Sequence, residues 1–192
     1  MKNSGGAVVI YLFLADGFEE TEALVTLDLM RRAGIDAVSV GVGSKRIRGT
    51  HGITVEADID SAEVDLDSCG GVVLPGGMPG TNNLCECGEV RNAVTYCFNA
   101  GKMTAAICAA PLILGRLGVL NGKRAVCFPG FENELKGADV CASPAETDGT
   151  VITARGAGAV FEFSHAIISL LKDRSVADKV LADIRFPSVI CG

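Results

Sequence analysis

The residues Thr104-Ala105-Ala106-Ile107-Cys108-Ala109-Ala110-Pro111 predict a change from strand to helix at a single residue. The apolar residues before Cys108 are typical of a buried strand, and Pro111 is typical of the first turn of a helix. Small side chains on both sides of Cys108 permit the sharp turn known as a nucleophile elbow, which exposes one reactive side chain. The stretch therefore predicts an α/β protein with Cys108 at the carboxyl end of a strand.

Apolar runs and helical segments alternate along the rest of the chain. Strands are predicted at 7–14, 35–42, 53–57, 71–74, 103–107, 124–128, 139–142 and 151–154, and helices at 19–33, 89–99, 111–117, 159–171 and 176–184. This alternation predicts a mostly parallel sheet covered by helices on both faces, in a single domain over 1–192. Loops 15–22, 75–80 and 108–111 follow strand ends, so we expect them to converge. The segment 45–52 between two strands is predicted to be rich in turns.

Charge and composition exclude several classes of protein. The chain has 192 residues and a net charge of −6, which argues against a nucleic-acid-binding surface. No apolar run reaches the ~18 residues that span a bilayer, and the start does not resemble a signal peptide. We therefore expect a cytoplasmic protein that binds neither nucleic acid nor membrane. Its eight cysteines are then mostly free thiols, and the Cys85-x-Cys87 spacing does not suit a metal site.

Cys108 is the strongest candidate for a chemical role. A thiol at the start of a helix lies near backbone N–H groups and the positive end of the helix dipole, so we expect it to lose its proton readily. The alternative is an inert cysteine packed in an alanine-rich corner. A Cys–His pair is the common way to activate such a thiol, but the chain has only two histidines. His165 fits helix packing, whereas His51 could reach a cleft or a subunit interface.

A carboxylic acid is the other candidate partner for the thiol. Glu19, Glu20 and Glu22 begin the first predicted helix, and Glu19 or Glu20 suits a first-turn acid that stabilises the helix dipole. Glu22 falls on the apolar helical face that also carries Val25, Leu29 and Ala33. Burial would raise the pKa of Glu22 and keep it protonated, so that it could donate a hydrogen bond to sulfur.

Two glycine-containing loops are further candidates for a chemical role. Gly76 and Gly77 follow a predicted strand and could bring backbone N–H groups close to a developing oxyanion, or they could form an ordinary tight turn. Arg155-Gly156-Ala157-Gly158 precedes a long helix and could bind an anion there. The second loop lacks the glycine pattern of a dinucleotide site, so we reject that interpretation.

Taken in order, these motifs resemble the DJ/ThiJ/PfpI superfamily, in the branch of the Parkinson-disease-associated protein deglycase and its bacterial relatives. The resemblance is carried by Asp16-Gly17-Phe18-Glu19-Glu20-Thr21-Glu22, Leu29-Met30-Arg31-Arg32-Ala33-Gly34, Leu74-Pro75-Gly76-Gly77, 105–111 and 155–158. It implies a flavodoxin-like three-layer sandwich that forms a homodimer through the first helix. It also implies that no cofactor or metal is needed.

The resemblance assigns roles to individual residues. Cys108 matches the reactive cysteine of the family, and Glu22 matches the acid that hydrogen-bonds its sulfur. Gly77 and Ala109 match the backbone donors of the oxyanion site. Arg32 and His51 match polar groups of a pocket at the dimer interface, where some relatives carry arginine in place of His51.

Two departures from the family pattern bear on activity. Ala109 stands where the protease-like branch carries a catalytic histidine, so peptidase activity is not expected. Phe128-Pro129 stands where the human-type branch carries His-Pro, so any mechanism that needs that histidine is in doubt. The resemblance then implies a cofactor-free glyoxalase or deglycase acting on methylglyoxal, glyoxal or early glycation adducts. The alternative is an oxidative-stress sensor or redox-regulated chaperone, and a role in thiamin biosynthesis is a distant third.

Overall fold

A computed structural model describes residues 8–187 of the chain, so residue 7 of the first predicted strand and Cys191 lie outside the described residues. The strands are β1 (Val9–Leu14), β2 (Ala37–Gly41), β3 (Arg46–Arg48), β4 (Thr54–Glu56), β5 (Ile59–Asp60), β6 (Cys69–Leu74), β7 (Met103–Ile107), β8 (Arg124–Ala125), β9 (Asp139–Val140), β10 (Ala145–Asp148) and β11 (Val151–Ala154). The helices are α1 (Glu20–Arg32), α2 (Gly80–Glu86), α3 (Gly88–Asn99), α4 (Pro111–Arg116), α5 (Val160–Leu171) and α6 (Arg174–Asp183).

Seven strands form the central sheet in the order β10-β11-β7-β6-β1-β2-β5. Every neighbouring pair is parallel except β10 with β11 at one edge. The five strands β2-β1-β6-β7-β11 have the flavodoxin-like order, in which the strand order reverses between β1 and β6. Ligands bind such sheets beyond the carboxyl ends of the strands near this reversal, and the loops after β1, β6 and β7 all end there.

The sheet lies between two helical layers, because the side chains of each strand alternate between its faces. Along β1, Ile10, Leu12 and Leu14 pack against α1, α5 and α6. Tyr11 and Phe13 of the same strand face the core that includes α2, α3 and α4. Both faces of β1 are therefore buried, as its continuous apolar sequence predicts, and the structure confirms the α/β sandwich.

The structure adds four elements that the sequence pattern did not predict, namely α2, β10 and the short strands β3 and β5. Helix α2 has no side-chain N-cap and begins with glycine, so neither capping nor helix propensity marks it. Strand β10 is the polar segment Ala145–Asp148, and it pairs only at the sheet edge, where alternation with an apolar core is not required. The segment 45–52 contains strand β3, which pairs antiparallel with β4. Across residues 8–187, each helix is too short or too polar to cross a membrane.

Candidate active site

Cys108 lies at the turn between β7 and α4 with a left-handed backbone, at φ +66°. This conformation is strained for a residue with a side chain, so the surrounding structure must hold it. Two hydrogen bonds do so: the Cys108 N–H donates to the Ala154 carbonyl at 2.9 Å, and the Phe128 N–H donates to the Cys108 carbonyl at 2.7 Å. The predicted nucleophile elbow is confirmed, and the thiol is half-buried at its tip.

Glu22 approaches the thiol from α1, and its side chain is 1% exposed. The Gly76 N–H donates to Glu22 Oε2 at 2.8 Å. A Cβ placed on Gly76 would lie 2.8 Å from Glu22 Oε2, 3.0 Å from Cys108 Sγ and 2.5 Å from Cys108 Cβ. The acid and the thiol therefore flank the same point, and only glycine fits between them.

The thiol and the acid each have a raised pKa. Burial, opposed by hydrogen bonds from Gly76, Cys108 and Ala157, raises the pKa of Glu22 to about 7. Burial and the adjacent Glu22 carboxylate raise the pKa of Cys108 to about 12, while the N–H groups of Gly77 and Ala109 act in the opposite direction. The direction expected for Glu22 is confirmed. The expectation that the helix start lowers the pKa of Cys108 is wrong, because desolvation and the neighbouring acid outweigh the backbone donors.

The loops after β1 and β6 are joined by backbone hydrogen bonds, as expected from their convergence. The Glu19 N–H donates to the Gly76 carbonyl at 2.9 Å, and the Gly80 N–H donates to the Gly17 carbonyl at 3.1 Å. Glu19 is also the N-cap of α1, since its Oε2 accepts the Glu22 N–H at 2.6 Å. These bonds fix the start of α1, and with it the position of Glu22, relative to the β6 loop.

Glu20 belongs to a second buried cluster beside this site. Its carboxylate accepts the His51 N–H at 2.8 Å and the Ile53 N–H at 3.3 Å, and its Oε2 lies 2.8 Å from His51 Nδ1. Burial alone would raise the pKa of Glu20, but these hydrogen bonds lower it overall. Glu19, Glu20 and His51 are the one set of potential metal ligands in close reach of one another among residues 8–187. We assign no metal there, because Glu19 caps a helix and Glu20 already has three donors.

The sequence comparison matches residues 8–170 to the DJ-1/PfpI family. The chain belongs to this family. It is 33% identical to the dj-1beta protein of Drosophila melanogaster over 92% of this chain and 95% of that one. It is 31% identical to a deglycase of Pyrococcus abyssi over 85% of this chain and 99% of that one. The chain spans less than half the length of DJ-1 homologs A and B of Arabidopsis thaliana, to which it is 36% and 35% identical over 87% of its own length.

Solved structures agree with this assignment. The Drosophila DJ-1beta crystal structure superposes with a TM-score of 0.88 at 30% identity, over 94% of this chain and 98% of that one. Oxidized DJ-1 of Toxoplasma gondii superposes with a TM-score of 0.90 at 27% identity, over 94% and 100% of the two chains. The DJ-1/PfpI fold therefore extends over nearly the whole chain.

Within this DJ-1/PfpI site, two of the predicted residues make their polar contacts with partners other than Cys108 or Glu22. Arg32 lies ten residues after Glu22, about 15 Å along α1, and pairs with exposed Asp28 at 2.6 Å. His51 pairs with Glu20, and its side chain is 68% exposed. A role for either residue at a dimer interface stays a prediction. His165 packs between α5 and α6, 2.7 Å from Asp178, in agreement with a structural role.

Three further residues border the thiol that sequence reasoning did not place there. A Cβ on Gly156 would lie 3.9 Å from Cys108 Sγ and 3.3 Å from the Phe128 ring, and the Ala157 N–H reaches Glu22. Strand β11 pairs in parallel with β7, so the loop after β11 ends beside the elbow. That adjacency, together with the glycine-containing motif 155–158, is the signal that could have located them.

The other described cysteines do not share the elbow of Cys108. All seven described cysteines are free thiols, including Cys108. Cys69 and Cys97 are buried with their sulfur atoms 3.3 Å apart, which is a thiol–thiol hydrogen bond rather than a disulfide. Cys108 is thus distinguished by its elbow and by the burial of its acid partner, since Cys87, which also contacts a carboxylate, pairs with Glu89 at an exposed site.

Proposed function

We propose that this protein is a cysteine-dependent, cofactor-free glyoxalase that converts methylglyoxal to lactate and glyoxal to glycolate, or a deglycase that acts on early glycation adducts. The observation that carries the proposal is the shared approach of Cys108 Sγ and Glu22 Oε2 to the Gly76 backbone. Deglycase-named relatives at about 31% identity, such as that of Pyrococcus abyssi, support it. Ala109 follows the nucleophile, so the side chain offers no histidine base for peptide hydrolysis.

The protonation of the pair decides which form reacts. Glu22 and Cys108 are coupled, so their apparent pKa values belong to the pair. With pKa values of about 7 and about 12, the pair holds one proton over the range between them. The N–H groups of Gly77 and Ala109 face the sulfur and favour negative charge there. By these values the remaining proton lies mainly on Cys108, and its transfer from Sγ to the Glu22 carboxylate gives the reactive form, a Cys108 thiolate beside a protonated Glu22.

The proposed reaction balances without an external oxidant. The Cys108 thiolate attacks the aldehyde carbon, the C–S bond forms, and the carbonyl oxygen takes a proton from Glu22 to give a hemithioacetal. Glu22 then removes the proton on the former aldehyde carbon and returns it to the neighbouring carbon, while the hydroxyl proton of the hemithioacetal passes to the oxygen of the neighbouring carbonyl. This oxidises the first carbon to a thioester and reduces the adjacent carbonyl to an alcohol. Water hydrolyses the thioester, which releases the hydroxy acid and regenerates the thiol.

The test is steady-state formation of lactate from methylglyoxal by wild type, Cys108→Ser and the matched control Cys141→Ser. Cys141 lies outside the site, with its sulfur near the Asp139 carbonyl. We expect Cys108→Ser to lower kcat/KM by at least about 10³-fold, as the loss of a nucleophile does, while Cys141→Ser stays near wild type. Equal lactate production by Cys108→Ser and wild type would overturn the proposal.

We further propose that the protein is a cytoplasmic homodimer that assembles through α1. Leu24 and Val25 of α1 are only partly buried, and Ile53 in the neighbouring loop is 53% exposed. An apolar surface of this kind is the usual core of a homodimer interface. Light scattering on the purified protein tests the assembly, and Val25→Asp is expected to shift it to monomer. A monomeric wild type would contradict this part of the proposal.

The second candidate function is redox sensing through Cys108. The protonated Glu22 carboxyl can donate a hydrogen bond to a sulfinate, and the half-buried thiol is open to a peroxide. Intact mass spectrometry after mild peroxide treatment tests it. Selective addition of two oxygens at Cys108, without aldehyde turnover, would favour sensing over catalysis.

A further inference from the structure

Phe128 is an aromatic side chain that remains 47% exposed beside the reactive thiol. The large apolar side chains exposed elsewhere in residues 8–187 are aliphatic or methionine. An exposed ring beside a reactive thiol is a candidate contact for a substrate. Covering the ring with an apolar group is favourable in proportion to the area removed from water.

The backbone holds Phe128 in a fixed relation to the nucleophile. Its N–H donates to the Cys108 carbonyl at 2.7 Å, and its carbonyl accepts the Phe131 N–H at 3.1 Å. The ring is therefore carried by backbone that is hydrogen-bonded to the elbow, and not by a free loop. A rigidly positioned apolar side chain can select among substrates, since little conformational entropy is lost when it is covered.

Gly156 leaves a narrow gap, about the size of one methyl group, between the ring and the sulfur. The point that its Cβ would occupy is 3.3 Å from Phe128 Cδ2, 3.8 Å from Phe128 Cε2 and 3.9 Å from Cys108 Sγ. Its φ is 161°, an extended backbone that any residue adopts, so conformation does not require glycine here. The missing side chain instead leaves the ring and the sulfur facing the same gap, so that a group on a carbon bonded to the sulfur can reach the exposed ring.

The residue before Gly156 is Arg155, but its positive charge is not directed at this space. The Arg155 guanidinium turns back and donates to the Ala142 carbonyl. On the opposite side, Glu22 presents a carboxyl whose pKa is raised to about 7. The surroundings of the ring thus suit a neutral apolar group better than a carboxylate or phosphate.

We propose that Phe128, with the space left by Gly156, forms an apolar subsite for the substituent of a 2-oxoaldehyde. The inference rests on the proposed function and names its substrate class: aryl and longer-chain 2-oxoaldehydes are preferred over methylglyoxal. Differences of one small apolar group in a pocket change kcat/KM by roughly tenfold or more, which sets the scale of the expected preference.

The first experiment compares kcat/KM for phenylglyoxal and methylglyoxal in wild type, Phe128→Ala, Phe128→Leu and the control Val140→Ala, which trims an exposed residue outside the site. We expect Phe128→Ala to lower the phenylglyoxal-to-methylglyoxal ratio by about tenfold. Phe128→Leu should keep part of the ratio, and Val140→Ala all of it. Gly156→Ala, which fills the space, should lower the rate with phenylglyoxal more than that with methylglyoxal.

A second readout does not depend on turnover. The rates at which N-phenylmaleimide and N-methylmaleimide alkylate Cys108 are measured by mass spectrometry in the same variants. If the subsite exists, Phe128→Ala lowers the phenyl-to-methyl rate ratio by a similar factor.

The outcomes separate the subsite from the proposed function. Loss of the alkylation preference in Phe128→Ala, in a protein without aldehyde turnover, would support the subsite and reject the glyoxalase. Unchanged ratios in both assays would overturn the subsite. Unchanged ratios together with an altered oligomeric state would overturn it as well, and would show that a second copy of the chain covers the ring.

Discussion

Glu20 and Glu22 lie two residues apart on α1, are 5% and 1% exposed, and yet have pKa values that shift in opposite directions. Around Glu20, three hydrogen-bond donors from the segment 51–53 stabilise the carboxylate. Around Glu22, burial dominates, and the Gly76 N–H is the one backbone donor at ordinary hydrogen-bond distance. Burial therefore does not decide the charge of a glutamate here, but the number of donors around it does.

The two clusters share one structural device. Each carboxyl lies against a glycine: a Cβ on Gly49 would come within 2.3 Å of the Glu20 carboxyl, and one on Gly76 within 2.8 Å of Glu22 Oε2. One cluster ties the segment 49–53 to α1 and stabilises the fold, while the other leaves a titratable acid beside a thiol. Variants of each cluster test whether the Glu20 cluster is structural and the Glu22 cluster chemical.

The largest expected effect is on catalysis, from Glu22→Gln. The amide cannot act as an acid or base, and such groups contribute about 10²–10⁴-fold to the rate, so kcat/KM for methylglyoxal should fall by that factor. Glu20→Gln is the matched control and should keep activity within about threefold while it destabilises the fold by about 1–3 kcal/mol. Equal losses of activity in the two variants would show that Glu22 acts through the position of α1 alone.

Alanine substitutions at Gly76 and Gly49 should likewise differ, with the first lowering activity and the second lowering stability. Gly76→Ala places a Cβ 2.5 Å from Cys108 Cβ, so the elbow and the acid must separate, and we expect activity to fall by about 10²-fold. Gly49→Ala meets only the Glu20 carboxyl, so its cost should be in stability, about 1–3 kcal/mol by denaturant unfolding. A fully active Gly76→Ala would show that the contact between Cys108 and Glu22 is not needed.

The burial of Glu22 and the elbow at Cys108 could be predicted from sequence, because both follow from helical and strand periodicity. The phase of α1 predicted a buried Glu22, and the small residues around Cys108 predicted the elbow. The burial of Glu20 could not be predicted, since it depends on His51, 31 residues away, folding back through a segment expected to be only turns. Gly76 was expected to serve an oxyanion, but its N–H binds the Glu22 carboxyl instead.

The missed parts of the fold have a similar cause. Helix α2 and strand β10 are defined by what they pack against or pair with rather than by their own composition. The raised pKa of Cys108 depends on desolvation by residues from three loops, which no single stretch of sequence reveals. Periodic, local features were predicted correctly, and features created by contact between distant loops were not.

The dependence of stability on pH should have opposite signs at the two glutamates. The folded pKa of Glu22 is raised from 4.5 to about 7, so its stabilising contribution is present below pH 4.5 and is lost as the pH rises to about 7. The folded pKa of Glu20 is lowered, so its contribution is present above pH 4.5 and is lost as the pH falls. Urea unfolding of wild type and Glu22→Gln between pH 5 and 8 measures the first effect, about 2–3 kcal/mol. Identical pH slopes for the two proteins would contradict it.

The smallest expected effect comes from His51→Ala. The ring is 68% exposed, and an exposed ion pair contributes little, so the free energy of unfolding should change only slightly. Glu20 keeps its two backbone donors, and Glu22 is untouched, so lactate formation should stay within about twofold of wild type. The Glu20 carboxyl, followed by NMR titration, should rise in pKa because the ring hydrogen bond that lowers it is gone. A large loss of activity in the correctly folded variant would mean that His51 reaches the reactive centre and that the two clusters are not separate.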